Sequence, residues 1–217
     1  MIDQQTLQKI RKEYMAGELS KKTVSPDPVP QFTKWFDEAL HISETELEVN
    51  SVTLATATKD GLPAARMVLL KHFDEEGFTI YTNYNSDKAK ELAENPRAAL
   101  LFYWPQLQRQ VRVKGVVEKV TTEESEAYFK TRPYGSRISA WASQQSAAIE
   151  NREVLENRFE EFQKKYPGKN VPLPPFWGGY RIIPNRYEFW QGRENRLHDR
   201  VQYTLVNSVW QIERLAP

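Results

Sequence analysis

The stretch from Glu188 to Leu205 concentrates residue types that can bind anions or exchange protons. Within it, the segment RLHDR places two arginines, a histidine and an aspartate between segments with the composition of β-strands. If the chain is extended here, side chains alternate between two faces, so Arg196, His198 and Arg200 share one face. Three potential cations on one face repel each other. The pattern therefore predicts an anionic or electron-rich partner opposite them.

A second set of polar residues suits a phosphate monoester. The strand-like segment ARMVLLK carries Arg66 and Lys71 near its two ends, and YFKTRPYGS places Tyr128, Arg132 and Ser136 at intervals of four. Arg offers a two-pronged donor to phosphate, Lys a point charge, and Tyr and Ser neutral hydroxyl donors. Taken singly, each of these residues is more typical of a solvated charge or a packed ring, so the prediction depends on the whole set.

The composition excludes several kinds of chemistry. The chain has no Cys, which removes disulfides, thiolate nucleophiles and Cys-based metal sites and suits a reducing compartment. Its 3 His residues lack metal-ligand spacing, so no metal site is predicted. A net charge of +1 argues against nucleic acid as a partner. No leader segment and no run of ~18 apolar residues is present, so we expect a cytoplasmic protein that does not engage a membrane.

Hydrophobic periodicity predicts more strands than helices. Helices are expected at 4–16, at 28–40, between Ser86 and Pro96, from a Thr121–Glu124 capping box onward, and at 146–166. Strands are expected at 52–58, 64–71, 77–83, 98–104, 109–120, 180–183, 186–191, 201–206 and 209–215. The Asp60-Gly61 pair predicts a hairpin between the first two strands.

These elements favour a mainly β fold with peripheral helices (α+β), arranged as an antiparallel barrel, because tight turns join the strands and no regular βαβ alternation occurs. A chain of 217 residues suits a single domain, with an N-terminal helical segment at 1–45 and the barrel, its inserted helices and the C-terminal strands at 46–217. No glycine-rich phosphate loop is present, so side chains are expected to hold any phosphate-bearing ligand.

Nine segments follow one another in a distinctive order: RKEY, RMVLLK, YTN, RQVRVKG, YFKTRPYGS, WASQQS, PPFWGGYRI, EFWQGRENRLHDR and ERLAP. Together they resemble the pyridoxine/pyridoxamine 5'-phosphate oxidase family from about Arg11 to Pro217. The resemblance implies an FMN-binding split β-barrel and a homodimer with FMN at the subunit interface. It also implies oxidation of pyridoxamine and pyridoxine 5'-phosphates to pyridoxal 5'-phosphate, with hydride transfer from the substrate C4' carbon to FMN and reoxidation by O2 to hydrogen peroxide.

The resemblance also implies a role for each matching position. It assigns FMN to Arg66, Met67, Val68, Leu69, Leu70, Lys71, Tyr81, Thr82, Lys88, Gln110, Gln145, Ser146, Trp190 and Arg200. It assigns the substrate phosphate to Lys71, Tyr128, Arg132 and Ser136. It places catalytic Arg196 and His198, with Leu197, at the substrate ring, and it closes Arg11, Lys12, Glu13 and Tyr14 over that ring. Neighbouring cations should keep His198 neutral until an anion binds.

Two positions depart from the family pattern. Asp87 stands before Lys88, where the family often has a basic residue, and a carboxylate cannot donate a hydrogen bond to the FMN phosphate. Lys12 stands in the RKEY segment where a second Arg is common. We therefore expect Asp87 to contribute no direct contact with the cofactor.

Two other functions fit parts of the pattern. A related FMN oxidase acting on another ring, as in phenazine biosynthesis, would share the fold and much of the C-terminal motif, but it would not need the phosphate set of Lys71, Tyr128, Arg132 and Ser136. A non-catalytic flavin- or haem-binding split barrel would not need RLHDR, and a turnover assay separates it from an oxidase.

Overall fold

The computed structural model describes residues 14, 17–42, 48–168 and 170–217. Within these residues the helices are α1 (Pro28–Ile42), α2 (Asp87–Glu94), α3 (Thr122–Thr131), α4 (Tyr134–Ala142) and α5 (Arg152–Lys165). The strands are β1 (Ser51–Ala57), β2 (Pro63–Leu69), β3 (His72–Asp74), β4 (Gly77–Asn83), β5 (Arg97–Trp104), β6 (Arg109–Lys119), β7 (Trp177–Gln191), β8 (Asp199–Val206) and β9 (Val209–Leu215). None of the described helices is both long and apolar enough to cross a membrane.

The strands form one sheet in the order β2-β1-β5-β6-β7-β4-β3, with β8 paired to β7 and to β9. The pairs β1–β2, β3–β4, β4–β7, β7–β8 and β8–β9 are antiparallel. The β1–β2 hairpin aligns Ala57 with Pro63, and its turn holds Gly61 at φ 92°, a conformation that glycine adopts without strain. The predicted antiparallel, mainly β fold and its Asp60-Gly61 hairpin are confirmed.

One compact unit comprises residues 50–100 and 114–184. Its α3 begins with the predicted capping box, in which Thr121 accepts from the Glu124 amide and the Glu124 carboxylate accepts from the Thr121 amide. Phe129 of α3 packs in a buried cluster with Ile138 of α4 and with Trp177 of β7. The cap and this packing fix α3, whose last turn carries the predicted phosphate ligand Tyr128 and whose C-cap residue is the predicted phosphate ligand Arg132.

The other unit comprises Met1–Val49, Leu101–Val113 and Asn185–Pro217. In its described part, α1 buries Phe32 and Trp35, which lie 5.0 Å from the ring of Phe102 and 5.3 Å from that of Phe189, measured between centroids. The β8–β9 hairpin completes the unit and carries the end of the chain. The helix predicted at 4–16 lies outside the described residues, apart from Tyr14.

The RLHDR segment does not form the extended strand that the sequence predicts. Residues 194–196 form a 3-10 turn, Asn195 and Arg196 have φ of 53° and 63°, and β8 starts only at Asp199. The predicted common strand face for Arg196, His198 and Arg200 is therefore wrong. Residues 192–196 are all glycine or polar, so no apolar alternation draws them into the sheet.

The end of the sheet differs from prediction in a second respect. The strands expected at 180–183 and 186–191 are one continuous strand, β7, that runs through Pro184. Proline usually interrupts a central strand because it lacks an amide donor, which is why the sequence suggests a break. The short strand β3 was not predicted.

Two helix starts were also misjudged. The helix expected at 146–166 begins at Arg152, after Asn151, whose side chain accepts from the Val154 amide. Helix α4 was not predicted, because Pro133 suggests only the end of a helix, whereas here it ends α3 and precedes α4. Ser86 stands at the start of α2 as expected, but its hydroxyl makes no capping bond to the helix.

Candidate functional site

A cavity of about 790 Å³ opens in the unit formed by residues 50–100 and 114–184. It brings together 13 residues that the family resemblance assigns to the cofactor or to the substrate phosphate: Arg66, Met67, Val68, Leu69, Lys71, Tyr81, Thr82, Lys88, Tyr128, Arg132, Ser136, Gln145 and Ser146. The lining is completed by Asp87, Thr131, Pro133 and Trp177. Leu70, also predicted to contact FMN, is buried at 4% exposure and is not part of this lining.

Lys88 places a buried amine in the wall of this cavity. Its Nζ donates to Gln145 Oε1 at 2.8 Å, to Ser86 Oγ at 3.2 Å and to Thr82 Oγ1 at 3.3 Å. Burial lowers the pKa of the Lys88 amine, and the nearby positive charge of Arg66 lowers this pKa further. An anion in the cavity would offset both effects.

Arg66 reaches the cavity from β2 and is held by two residues that the sequence analysis missed. Its Nη2 donates to Glu91 Oε2 at 2.9 Å, and its Nη1 donates to Thr56 Oγ1. Thr56 in turn donates to the same Glu91 oxygen. Glu91 follows Lys88 by three residues on a predicted helix, a spacing that places two side chains next to each other. This spacing could have indicated that the Glu91 carboxylate lies near the cofactor residues.

Three aromatic rings form one stack beside the cavity. The Tyr81 ring is 4.0 Å from that of Tyr128 and 5.6 Å from that of Trp177, and all three are nearly parallel. Burial raises the pKa of the Tyr81 and Tyr128 hydroxyls, so both remain protonated donors at neutral pH. The stack fixes Tyr128 and its hydroxyl in the lining of the cavity.

Arg132 combines a fixed guanidinium with an unused donor. Its Cζ lies 4.6 Å from the centre of the Trp177 ring, a cation–π contact that orients the group. Its Nη1 is buried and has no hydrogen-bond partner among the described residues. Because a buried donor without a partner is costly, this nitrogen is suited to bind an anionic ligand.

Lys71 and Ser136 also line the cavity with unused side chains. Neither side chain makes a recorded hydrogen bond or ion pair within the ranges that the structure describes. Lys71 is exposed and Ser136 is half-buried. The four predicted phosphate ligands, Lys71, Tyr128, Arg132 and Ser136, therefore lie around one cavity with donors available.

The remaining described site residues lie in the other unit. A second cavity there, of about 460 Å³, is lined by Tyr14, Arg193, Glu194, Asn195, Leu197, Asp199 and Arg214. Tyr14 contacts two further predicted residues, because its ring lies 5.8 Å from that of Trp190 and 5.6 Å from that of His198. Arg11, Lys12 and Glu13 lie outside the described residues.

His198 is held in its neutral form. Its Nδ1 accepts a hydrogen bond from the backbone amide of Arg193 at 3.1 Å, which requires that this nitrogen carry no proton. Burial lowers the pKa of His198, and the charge of Arg196 lowers this pKa further. The expected lowering of the His198 pKa is thus confirmed, although burial lowers this pKa more than the neighbouring Arg196 does.

Arg196 lies in a strained and exposed turn. Its positive φ of 63° is uncommon for a residue with a side chain, and such strain is concentrated at functional sites. Within the described part of the chain, no ion pair is recorded for its guanidinium, and Asp199 pairs instead with Arg214 and, at 3.8 Å, with Arg193. Its charge is therefore available to a ligand.

Arg200, which the family resemblance assigns to FMN, uses its donors within the protein. Its Nε and Nη2 donate to the buried Glu188 carboxylate at 3.0 and 2.9 Å, and its Nη1 donates to the Ala216 carbonyl at 2.8 Å. Glu188 also pairs with Arg112 at 3.2 Å. Gln110, another residue assigned to FMN by the resemblance, is half-buried on β6.

Solved structures of similar fold define the class of this protein. The protein PhzG from Burkholderia lata, solved in complex with tetrahydrophenazine-1-carboxylic acid, is 28% identical with a TM-score of 0.84, covering 90% of this chain and 95% of that one. A pyridoxamine 5'-phosphate oxidase-related, FMN binding protein from Nostoc punctiforme shares the fold, with a TM-score of 0.71 at 18% identity. The antiparallel sheet is thus that of a split β-barrel protein.

Sequence comparison then shows the family. A family model described as pyridoxamine 5'-phosphate oxidase matches residues 41–166, and one described as the pyridoxine 5'-phosphate oxidase C-terminal dimerisation region matches 177–217. Two curated relatives are named pyridoxine/pyridoxamine 5'-phosphate oxidase. The relative from Nostoc sp. is 55% identical over 98% of this chain and 99% of its own length. The relative from Cupriavidus taiwanensis is 56% identical over 96% of this chain and 97% of its own length. The chain belongs to the pyridoxine/pyridoxamine 5'-phosphate oxidase family.

Proposed function

We propose that this protein oxidises pyridoxamine 5'-phosphate and pyridoxine 5'-phosphate to pyridoxal 5'-phosphate, with FMN as cofactor and O2 as the final electron acceptor. The observation that carries the proposal is the convergence of four phosphate-type donors, from Lys71, Tyr128, Arg132 and Ser136, on one cavity. A related oxidase of unphosphorylated phenazine precursors, or a non-catalytic flavin or haem carrier, has no use for this set. Family membership supports the same choice.

The residues of the cavity fit FMN. Lys88 supplies a buried cation whose lowered pKa indicates that a nearby anion would be stabilising, and Arg66 supplies a second cation. The hydroxyl of Ser146 and the amide of Gln145 line the same cavity and add neutral groups that can bind phosphate or the flavin ring. The volume of about 790 Å³ is within the usual range for cofactor and ligand sites.

When bound, FMN supplies the acceptor for the hydride that leaves the substrate C4' carbon, while the chain itself positions the reactants. Arg132 provides a buried charged donor for the substrate phosphate, and Tyr128 provides a protonated hydroxyl. Both anchor a part of the substrate that does not react. Such anchoring holds the reacting carbon at a fixed place and reduces the entropy cost of reaching the transition state.

Arg196 and His198 act on the substrate ring in this proposal. Arg196 brings a permanent charge on an exposed turn. His198, neutral because its Nδ1 accepts from the Arg193 amide, presents Nε2–H as a donor to a polar ring substituent. Hydride transfer to the flavin requires no protein base, so both residues orient the ring and neither needs to accept a proton from it.

The purified protein is expected to carry one FMN per chain and to release hydrogen peroxide when pyridoxamine 5'-phosphate is added under air. Acid release of the cofactor followed by chromatography identifies it, and a peroxidase-coupled assay measures turnover. FAD or haem as the stoichiometric ligand would contradict the cofactor assignment. A flavin-loaded protein that forms no peroxide with either phosphorylated substrate would indicate a carrier instead of an oxidase.

We further propose that the whole chain acts as one FMN-binding domain, that it is cytoplasmic, and that it forms a homodimer with FMN at the subunit interface. The match of residues 177–217 to a C-terminal dimerisation region supports the dimer. Large apolar side chains remain exposed, among them Leu62 at 68% and Met67 at 62%, as expected for a surface that a partner covers. Light scattering should give twice the chain mass, and an active, flavin-loaded monomer at assay concentration would exclude the dimer.

A further inference from the structure

The carboxylate of Glu91 lies beside the candidate cofactor cavity and holds one of its cations. Glu91 Oε2 accepts from Arg66 Nη2 at 2.9 Å and from the Thr56 hydroxyl, which itself accepts from Arg66 Nη1. The Arg66 and Glu91 side chains are 22% and 14% exposed, and Thr56 is buried. Three side chains, from β2, α2 and β1, thus close a ring of hydrogen bonds. Of these three residues, the family resemblance assigns a cofactor role to Arg66 but not to Glu91 or Thr56.

This ring of hydrogen bonds fixes a side chain that would otherwise be free to rotate. A free arginine loses side-chain rotamer entropy when a ligand immobilises it. With Nη1 and Nη2 tied to Thr56 and Glu91, that loss has already occurred before a ligand arrives. The Nε–H of Arg66 makes no recorded hydrogen bond within the described ranges, so it remains available to the cavity that Arg66 lines.

Glu91 also balances charge within the cavity wall. The positive charge of Arg66 lowers the pKa of the buried Lys88 amine, whereas the negative charges of Asp87 and, to a smaller extent, of Glu91 raise this pKa. The Glu91 carboxylate therefore reduces the repulsion between two cations that both belong to the cavity lining.

We propose that Glu91 is a positioning residue for cofactor binding, which fixes Arg66 in the orientation that binds the phosphate of the flavin. The proposal rests on the proposed function, since it takes FMN as the ligand. It assigns Glu91 a stabilising effect on the binding of an anion even though Glu91 is itself negatively charged. Glu91 therefore favours FMN binding by holding Arg66 in place, and this effect outweighs the repulsion between its own negative charge and the phosphate.

A second carboxylate on the same helix provides a sharp contrast. Asp87 lines the cavity, its side chain is 61% exposed, and its carboxylate pairs with the exposed Lys90 at 3.2 Å. Its charge raises the pKa of Lys88, but within the described residues its carboxylate makes no hydrogen bond to a cation of the lining and so fixes none of them in place. It should therefore repel a phosphate without positioning any ligand of that phosphate. Coulomb repulsion alone predicts that removal of either charge strengthens FMN binding, whereas the proposal predicts opposite signs for Glu91 and Asp87.

The test is to titrate cofactor-free protein with FMN and with riboflavin, which lacks the phosphate, and to follow flavin fluorescence. Glu91→Ala should raise the Kd for FMN about 10-fold, as expected when one charge-assisted hydrogen bond is no longer held in place. The Kd for riboflavin should change less than about 2-fold, because the defect concerns the phosphate. Glu91→Gln should recover most of the affinity, since its amide oxygen can accept from both Arg66 and Thr56.

Two further variants complete the experiment. Asp87→Asn should lower the Kd for FMN by about 2- to 5-fold, a modest gain because solvent screens this exposed charge. Glu94→Ala, which removes an exposed carboxylate from the same helix, should leave both dissociation constants unchanged. If Glu91→Ala does not fold, Thr56→Val decides the matter, because it breaks the same ring of hydrogen bonds and should weaken FMN, but not riboflavin, by about 3-fold.

The outcomes separate this inference from the proposed function. Unchanged or tighter FMN binding by Glu91→Ala would overturn the positioning role, as would an equal loss of affinity for FMN and riboflavin. If the unaltered protein binds no FMN at all, the proposed function itself fails. The thermal unfolding of each cofactor-free variant shows whether its fold is intact before titration.

Discussion

Replacing Arg196 by alanine should lower kcat/KM for pyridoxamine 5'-phosphate by about 100-fold or more, because a ring misplaced by about 1 Å relative to its acceptor costs that much. The turn that carries Arg196 has a positive φ at residues 195 and 196, and the guanidinium has no recorded ion pair among the described residues. His198→Ala should cost less, about 10-fold, because a neutral donor orients the ring less strongly than a charge does. Steady-state kinetics with measured flavin content tests both variants.

Two variants make this result specific. Arg196→Lys keeps the charge but loses the planar fork, so it should recover only part of the activity. Arg186→Ala removes an exposed arginine from β7 in the same unit and should retain wild-type kinetics. Near-normal turnover in Arg196→Ala, with FMN bound, would show that RLHDR is only a surface turn.

Arg132→Ala should raise KM for phosphorylated substrates by about 10- to 150-fold, the equivalent of about 1.5–3 kcal/mol for a charged hydrogen bond to phosphate. The effect should fall on KM rather than kcat, because the phosphate does not react and is bound equally in the ground and transition states. The buried, unpartnered Nη1 and the Trp177 ring beneath the guanidinium indicate that this donor is already in place before substrate binds.

A comparison of substrates tests this role directly. Unphosphorylated pyridoxamine has no group for Arg132 to bind, so Arg132→Ala should leave its weak turnover unchanged. Lys130→Ala, on the exposed side of the same helix, should affect neither substrate. An equal loss of activity toward both substrates would show that Arg132 has a structural role and does not recognise the phosphate.

The sequence predicted most of the fold because its strands and turns follow local rules. The hairpin around Gly61 and the capping box at Thr121 depend on residues close in the chain, and the structure contains both. The continuous strand β7 and the turn at 194–196 were not predicted, because they depend on pairing with distant strands and on hydrogen bonds such as that from the Gly192 amide to the Gln108 carbonyl. Local periodicity carries no information about such contacts.

In the candidate site, too, some residues could be predicted from the sequence and others could not. Family resemblance pointed to Arg66 and Lys88, and both line the main cavity. It did not point to Glu91, whose carboxylate bonds to Arg66 and Thr56, because a residue that acts through a neighbour carries no motif of its own. The extended-strand assumption likewise misplaced Arg196, since the left-handed backbone of residues 195 and 196 cannot be inferred from two polar side chains.

The buried cations of the main cavity have a consequence for how long the protein survives in a cell. Lys88 and Arg132 keep positive charges in places where burial lowers their pKa values, so the chain folds against an electrostatic cost that a bound dianion would relieve. A ligand present at a thousand times its Kd stabilises the native state by about 4 kcal/mol. If FMN is the ligand, as we propose, newly made chains in cells short of riboflavin would open more often and be degraded faster, so the abundance of the protein would follow the vitamin supply.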